Sequence, residues 1–174
     1  MKGTLGKIWN IITWLLVGCV ILLAIALAGV RVIGFKPYAI LSPSMTPRYG
    51  VGDLVYVRSV DPERIEEGDV ITFVANEELT VVTHRVAEAD REKKCFYTQG
   101  DANDSRDAAP VLYENVIGVV KFSLPKLGYV SQYFTSTSGR YAGVAIFFVL
   151  VLLFLLPELL KSGDVKKEKN PEKQ

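Results

Sequence analysis

Two long uncharged apolar stretches bracket a middle region in which short β-branched runs alternate with polar turns. The first stretch, Ile8–Val30, is 23 residues without a charge. As a helix it is roughly 34 Å long, enough for the hydrocarbon core of a bilayer. Lys2 and Lys7 precede it, Arg31 follows it, and Trp9 and Trp14 lie near its start, where interfacial aromatics belong. The second, Tyr141–Pro157, is 17 residues between Arg140 and Glu158, the lower limit for a span. Arg140 can snorkel to lengthen it, with Tyr133, Phe134 and Tyr141 at the interface. Basic residues flank both outer ends, with Lys161, Lys166, Lys167, Lys169 and Lys173 in the tail. The positive-inside rule then predicts cytoplasmic ends, residues 1–7 and 158–174, and an extracytoplasmic domain over about 34–139 between helices 8–30 and 141–157. The competing reading of the first stretch is a cleaved signal peptide, because Ala24-Ile25-Ala26 and Ala26-Leu27-Ala28 fit the small-x-small pattern. The apolar run exceeds the usual 7–15-residue core of such peptides, which favours an anchor. Either way the middle domain is translocated.

Within that domain short β-branched runs read as strands. Leu54-Val55-Tyr56-Val57 follows Gly52-Asp53, and Val70-Ile71-Thr72-Phe73-Val74 follows Gly68-Asp69, 16 residues later. Both read as a turn opening onto a strand. Tyr38–Leu41, Thr80–Val86, Phe96–Gln99 and Val116–Phe122 are further predicted strands, with turns at Asp61-Pro62 and Asn76-Glu77-Glu78. No helical period stands out between the two apolar stretches. The expected fold class is therefore mainly β: a small β-rich domain flanked by N- and C-terminal transmembrane helices.

Composition narrows the chemistry. The chain of 174 residues carries 20 basic and 19 acidic side chains, and residues 34–139 hold 11 basic against 15 acidic, so nucleic acid is not an expected partner. Two cysteines exclude a disulfide-rich fold, and a single histidine, His84, excludes any site that needs two. Cys19 lies in the first span and Cys95 in the outer domain, so they are not expected to pair, and Cys95 reads as a small buried apolar residue. Neither a metal nor a cofactor is expected.

Three segments carry candidate chemistry. In Ser42-Pro43-Ser44-Met45-Thr46-Pro47 the two prolines restrict φ and push Ser42 and Thr46 toward extended backbone, holding the side chains rigidly. A nucleophile needs such positioning. In Val81-Val82-Thr83-His84-Arg85-Val86, a strand puts Val82, His84 and Val86 on one face, and a neutral imidazole there can accept a proton from a serine. Gly100-Asp101-Ala102-Asn103-Asp104-Ser105-Arg106-Asp107 spaces three aspartates by three. An EF-hand calcium loop is excluded, since Arg106 and Leu112 stand where glycine and glutamate are required. Taken alone, each segment has an ordinary reading: a Ser/Pro turn, a half-buried histidine, a solvated acidic loop. Together serine, histidine and aspartate are the set that acyl transfer needs. Spacing does not establish that they meet.

The ordered blocks Ser42–Pro47, Gly52-Asp53-Leu54-Val55, Gly68-Asp69-Val70-Ile71, Thr83-His84-Arg85-Val86 and Gly100-Asp101-Ala102-Asn103 with Asp107 resemble signal peptidase I, in its endoplasmic-reticulum-type branch, over roughly residues 38–121. The resemblance implies a β-rich catalytic core that removes signal peptides from translocated preproteins. It implies Ser44 as nucleophile and His84 as general base, where the commoner bacterial branch has a lysine. Asp107 matches the third catalytic position and Asp101 a second important aspartate. Ser42 matches the position whose hydroxyl joins the Ser44 N–H in the oxyanion hole. Pro43 and Ala102 depart from the glycine and asparagine common in the family. Expected partners are secretory preproteins, the lipid bilayer and translocation machinery. The expected location is the cell membrane, multi-pass, or the endoplasmic reticulum membrane in a eukaryote. Two rivals remain at this stage: a non-catalytic anchored β module that binds a partner, and a serine–lysine protease using Lys93 or Lys94.

Overall fold

The computed structural model describes residues 2–75 and 80–168. It has two compact parts: a β unit, Ala26–Tyr133, and a helical unit built from the two ends of the chain, through Ile25 and from Phe134. The predicted turn at Asn76-Glu77-Glu78 and the tail residues Lys169 and Lys173 lie outside the described residues.

Helix α1 spans Lys2–Leu27, and within it Gly6–Leu27 is long and apolar enough to cross a membrane. Ile11, Ile12, Leu15 and Leu22 on it are more than half exposed, an arrangement that suits lipid rather than water. The helix stops three residues short of the predicted Val30, because the chain tightens into a 3₁₀ turn over Gly29–Ile33. At the other end, α2 (Leu127–Thr135) and α3 (Thr137–Glu168) follow one another across Ser136. Over its described side chains α3 reaches membrane-spanning character only when taken together with α2, so the separate span predicted at Tyr141–Pro157 is not established. A helix ahead of that stretch is a correction to the sequence reading. Its residues, Leu-Gly-Tyr-Val-Ser-Gln-Tyr-Phe-Thr, include several weak helix formers. Tertiary contacts secure it: the Lys126 N–H donates to Asp53 Oδ1 at 3.1 Å and Gly128 N–H donates to the Gly52 carbonyl at 2.9 Å.

Seven antiparallel strands form one sheet in the order β1-β2-β7-β3-β4-β5-β6. They are β1 (Phe35–Ala39), β2 (Leu54–Arg58), β3 (Val70–Val74), β4 (Val81–Asp90), β5 (Cys95–Gln99), β6 (Val111–Leu112) and β7 (Val116–Leu124). The first begins three residues before the predicted Tyr38, β4 runs four past Val86, and the two-residue β6 is too short to leave a period in the sequence. In β2 and β3 the apolar runs are continuous because both faces are covered: Leu54, Val55, Tyr56 and Val57 are all fully buried. One core cluster gathers Ile40, Met45, Tyr49, Val55, Val57, Val70 and Val120; the other gathers Ile65, Ile71, Phe73, Val86, Phe96, Val111 and Val119.

The repeated Gly-Asp pattern is one turn used twice. Gly52 and Gly68 take φ of +88° and +91°, which a side chain would strain. Asp53 Oδ2 accepts from the Gly50 N–H at 2.9 Å, and Asp69 Oδ2 accepts from the Glu66 N–H at 3.1 Å. Each carboxylate thus closes its own turn and launches a strand. The Tyr56 hydroxyl donates to the Ala26 carbonyl at 2.7 Å, in the last turn of α1, and burial raises its pKa above the ordinary tyrosine value. Tyr56→Phe should lower stability by about 1 kcal/mol, since it leaves that carbonyl short of a donor. Thermal unfolding measures this loss, and an unchanged midpoint would discount the bond.

Candidate active site

Three elements of the β unit converge on one point. The first is a 3₁₀ turn, Pro43–Met45, that follows β1. Ser42 is extended there, at φ −122° and ψ 158°, and so is Thr46, at φ −69° and ψ 142°. Met45 is buried as the anchor of the turn, while Ser44 beside it stays partly exposed. The second is β4, which places His84 opposite Ile71 of β3, with the Phe73 ring edge-on at 6.5 Å. The third is β5 and the loop after it, where Val86 pairs with Thr98.

The convergence needs a gap, and Gly100 provides it. A Cβ on Gly100 would lie 2.6 Å from the Ser44 carbonyl oxygen and 3.0 Å from the Ser44 Cβ. Without it the serine turn seats against the end of β5. The Ser44 carbonyl then accepts from the Ala102 N–H at 2.8 Å.

The side chains form a continuous hydrogen-bonded line. Asp107 Oδ2 lies 2.7 Å from His84 Nδ1, and His84 Nε2 lies 3.1 Å from Ser44 Oγ. Ser42 Oγ is 3.0 Å from Ser44 Oγ. Thr98 Oγ1 donates to the same Asp107 Oδ2 at 2.6 Å. Donor and acceptor roles follow from one fact: an ionised carboxylate only accepts. In the neutral ring His84 Nδ1 then carries the proton, which leaves Nε2 as the acceptor of the Ser44 hydroxyl. Ser44 Oγ in turn accepts from Ser42. His84 is only 9% exposed, so little water reaches the imidazole at the centre of this line. Beyond the His84–Asp107 pair lies a cavity of about 250 Å³ walled largely by Phe73, Val82, Pro110 and Val111.

The three aspartates of the acidic loop separate by partner. Asp107 faces His84. Asp101 takes Arg85 in a two-pronged pair, Nε to Oδ1 at 2.7 Å and Nη2 to Oδ2 at 2.6 Å. That bond holds the Arg85 guanidinium above its ordinary pKa. Arg85 also donates to the Gly68 carbonyl at 2.7 Å, linking the second Gly-Asp turn to the loop. Asp104 is exposed. Of the residues singled out in the sequence, Ser42, Ser44, His84 and Asp107 are therefore in line, and Asp101 stands one pair away. Lys93 does not join them. Its ammonium pairs with Asp90 at 2.8 Å in the exposed β4–β5 turn, and that hydrogen bond raises its pKa, the wrong direction for a base. Thr98, Gly100 and Arg85 were not read as site residues. Strand alternation places Phe96, Thr98 and Gly100 on one face, but that Thr98 and Gly100 meet the site is set by pairing with distant segments.

Known proteins with similar sequences indicate a family. The family described as signal peptidase, peptidase S26, matches residues 11–94, which include Ser44 and His84 but stop short of Asp101 and Asp107. Signal peptidase I W of Bacillus subtilis is 39% identical over 88 residues, 49% of this chain and 46% of that protein. The match thus spans about half the length of the bacterial relative. Two relatives named signal peptidase complex catalytic subunit SEC11 align more fully. That of Eremothecium gossypii is 33% identical over 131 residues, and that of Komagataella phaffii 30% over 132, each covering 67% of this chain and 75% of the relative. The chain belongs to the signal peptidase family, peptidase S26, in its endoplasmic-reticulum-type branch.

Proposed function

We propose that this chain is a membrane-bound serine endopeptidase that removes N-terminal signal peptides from translocated secretory preproteins. The observation that carries the reading is the Ser44–His84–Asp107 line of hydrogen bonds in a chain of this family. A partner-binding module has no need for a polarised serine. In this mechanism Ser44 attacks the scissile carbonyl while His84 Nε2 takes its proton. Asp107 holds the ring and stabilises the imidazolium. The oxyanion is met by the Ser44 N–H, which lies in the first turn of the 3₁₀ segment, and by the Ser42 hydroxyl, which swings from Ser44 Oγ as that atom bonds carbon. His84 then protonates the leaving amine, and water hydrolyses the acyl-enzyme. Asp101 acts through Arg85, fixing the loop that delivers Asp107.

The membrane supplies the substrate. A signal peptide's apolar core lies in the bilayer with its cleavage site at the surface, and an anchored enzyme meets it at raised effective concentration. The segments proposed are 1–7 cytoplasmic, 8–30 spanning, 34–139 extracytoplasmic, 141–157 spanning and 158–174 cytoplasmic, a multi-pass arrangement in the cell membrane or the endoplasmic reticulum. Strand β1 is terminal in the sheet, and an extended peptide adds to its outer edge near Tyr38–Leu41. Translocation machinery and, by likeness to the catalytic subunits named SEC11, companion subunits are proposed partners.

The test is cleavage of a secretory preprotein by the detergent-solubilised full chain, with Ser44→Ala beside it. Product from the wild type alone supports the enzyme; equal product from both, or none from either, points to the binding module. Ser42→Ala removes one of two oxyanion donors and should lower kcat about 10²–10³-fold without abolishing cleavage. Wild-type turnover by Ser42→Ala would take Ser42 out of that role.

A further inference from the structure

We propose that Thr98 is a positioning residue for the hydrolytic site: its hydroxyl fixes the orientation of the Asp107 carboxylate and, through it, the tautomer of His84. The proposal rests on the reading of Ser44, His84 and Asp107 given above.

Thr98 lies on β5 directly opposite Val86, so it is the diagonal neighbour of His84 on the same face of the sheet. It is fully buried. A buried hydroxyl must find an acceptor, and this one gives its proton to Asp107 Oδ2 at 2.6 Å. The backbone repeats the grip, since the Asp107 N–H donates to the Thr98 carbonyl at 2.8 Å. Asp107 is thus held to one residue at both its main chain and its side chain. The hydroxyl bond and the His84 Nδ1 bond converge on a single carboxylate oxygen.

That convergence matters because the final torsion of an aspartate is soft. The Asp107 side chain is 26% exposed, so water competes for its oxygens. A β-branched threonine in a strand has little freedom at χ1, which makes its hydroxyl a fixed post. With Oδ2 tethered to that post, Nδ1 meets an acceptor in one place. The proton stays on Nδ1, and the Nε2 lone pair faces Ser44. Released from the post, the carboxylate turns, and the imidazole also populates the form protonated at Nε2, which cannot act as base.

The single histidine makes this directly observable, because ¹⁵N-histidine labelling of the full chain in detergent reports one imidazole. In the neutral form, wild type and Thr98→Ser should show a proton on Nδ1 alone. Thr98→Val, which keeps the shape and removes the hydroxyl, should show a mixture of tautomers. On a preprotein its kcat should fall about 10- to 100-fold, as for loss of one hydrogen bond to a charged group, with KM little changed. Thr98→Ser should restore most of the rate. Thr98→Ala gives the same two readings where the valine variant does not fold. A lone Nδ1–H tautomer in the valine variant overturns the proposal, whatever the rate, and so does wild-type kcat. If the wild type cleaves no preprotein, the hydrolase reading fails, while the nitrogen signals still decide whether Thr98 orients the pair.

Discussion

His84→Ala should reduce cleavage of a preprotein by roughly 10⁶-fold, to the level left by binding and oxyanion stabilisation alone. The imidazole is the group that links the Ser44 hydroxyl to a carboxylate, with 3.1 Å on one side and 2.7 Å on the other. A serine hydroxyl without a base is a poor nucleophile. His84→Lys separates this account from a serine–lysine mechanism. A lysine ammonium placed beside Asp107 is stabilised in its charged form by the opposite charge, so it holds its proton at neutral pH. We expect His84→Lys to be as inactive as His84→Ala. Single-turnover assays at high enzyme concentration measure the residual rates, and recovery of wild-type cleavage by either variant would end the role assigned to His84.

Asp107→Asn should cost about 10⁴-fold in kcat while leaving the fold intact. The amide is close in shape to the carboxylate but brings a donor. With its NH₂ in the place of Oδ2, the atom that both Thr98 and His84 Nδ1 meet, it offers the imidazole a donor; Nδ1 must then accept, and the histidine proton moves to Nε2. Ser44 then faces a donor rather than an acceptor. Asp101→Asn should behave differently, because Asp101 meets Arg85 and not the imidazole. Comparing the two on one preprotein, with circular dichroism to establish folding, checks the assignment. A larger loss from Asp101→Asn than from Asp107→Asn would reverse the two roles.

Much of the framework was legible because it is local. The two Gly-Asp turns announce β2 and β3 through a residue that tolerates positive φ and a carboxylate that closes its own turn. The prolines around Ser44 fix extended neighbours, as the dihedrals of Ser42 and Thr46 bear out. What could not be read is what depends on pairing between distant segments. Helix α2 has weak intrinsic preference and is held by Asp53, more than seventy residues earlier. The choice between Asp101 and Asp107 as the partner of His84 is set by a loop that sends one toward Arg85 and the other toward β4. Thr98 carried no motif; its significance comes from standing diagonal to His84 across a strand pair whose register includes a bulge between Val86 and Glu88. Gly100 was visible only as part of a motif, and its reason is the Ser44 backbone pressed against it.

The most direct test of the account is to catch the bond it requires. A preprotein mixed with solubilised full-length protein and quenched in acid should carry, for a short time, the signal peptide as an ester on the peptide containing Ser44. Mass spectrometry locates such an adduct. We predict it on Ser44 of the wild type, accumulating less as cleavage completes, and absent from Ser44→Ala. An adduct on a different residue, or undiminished cleavage by Ser44→Ala, would contradict it.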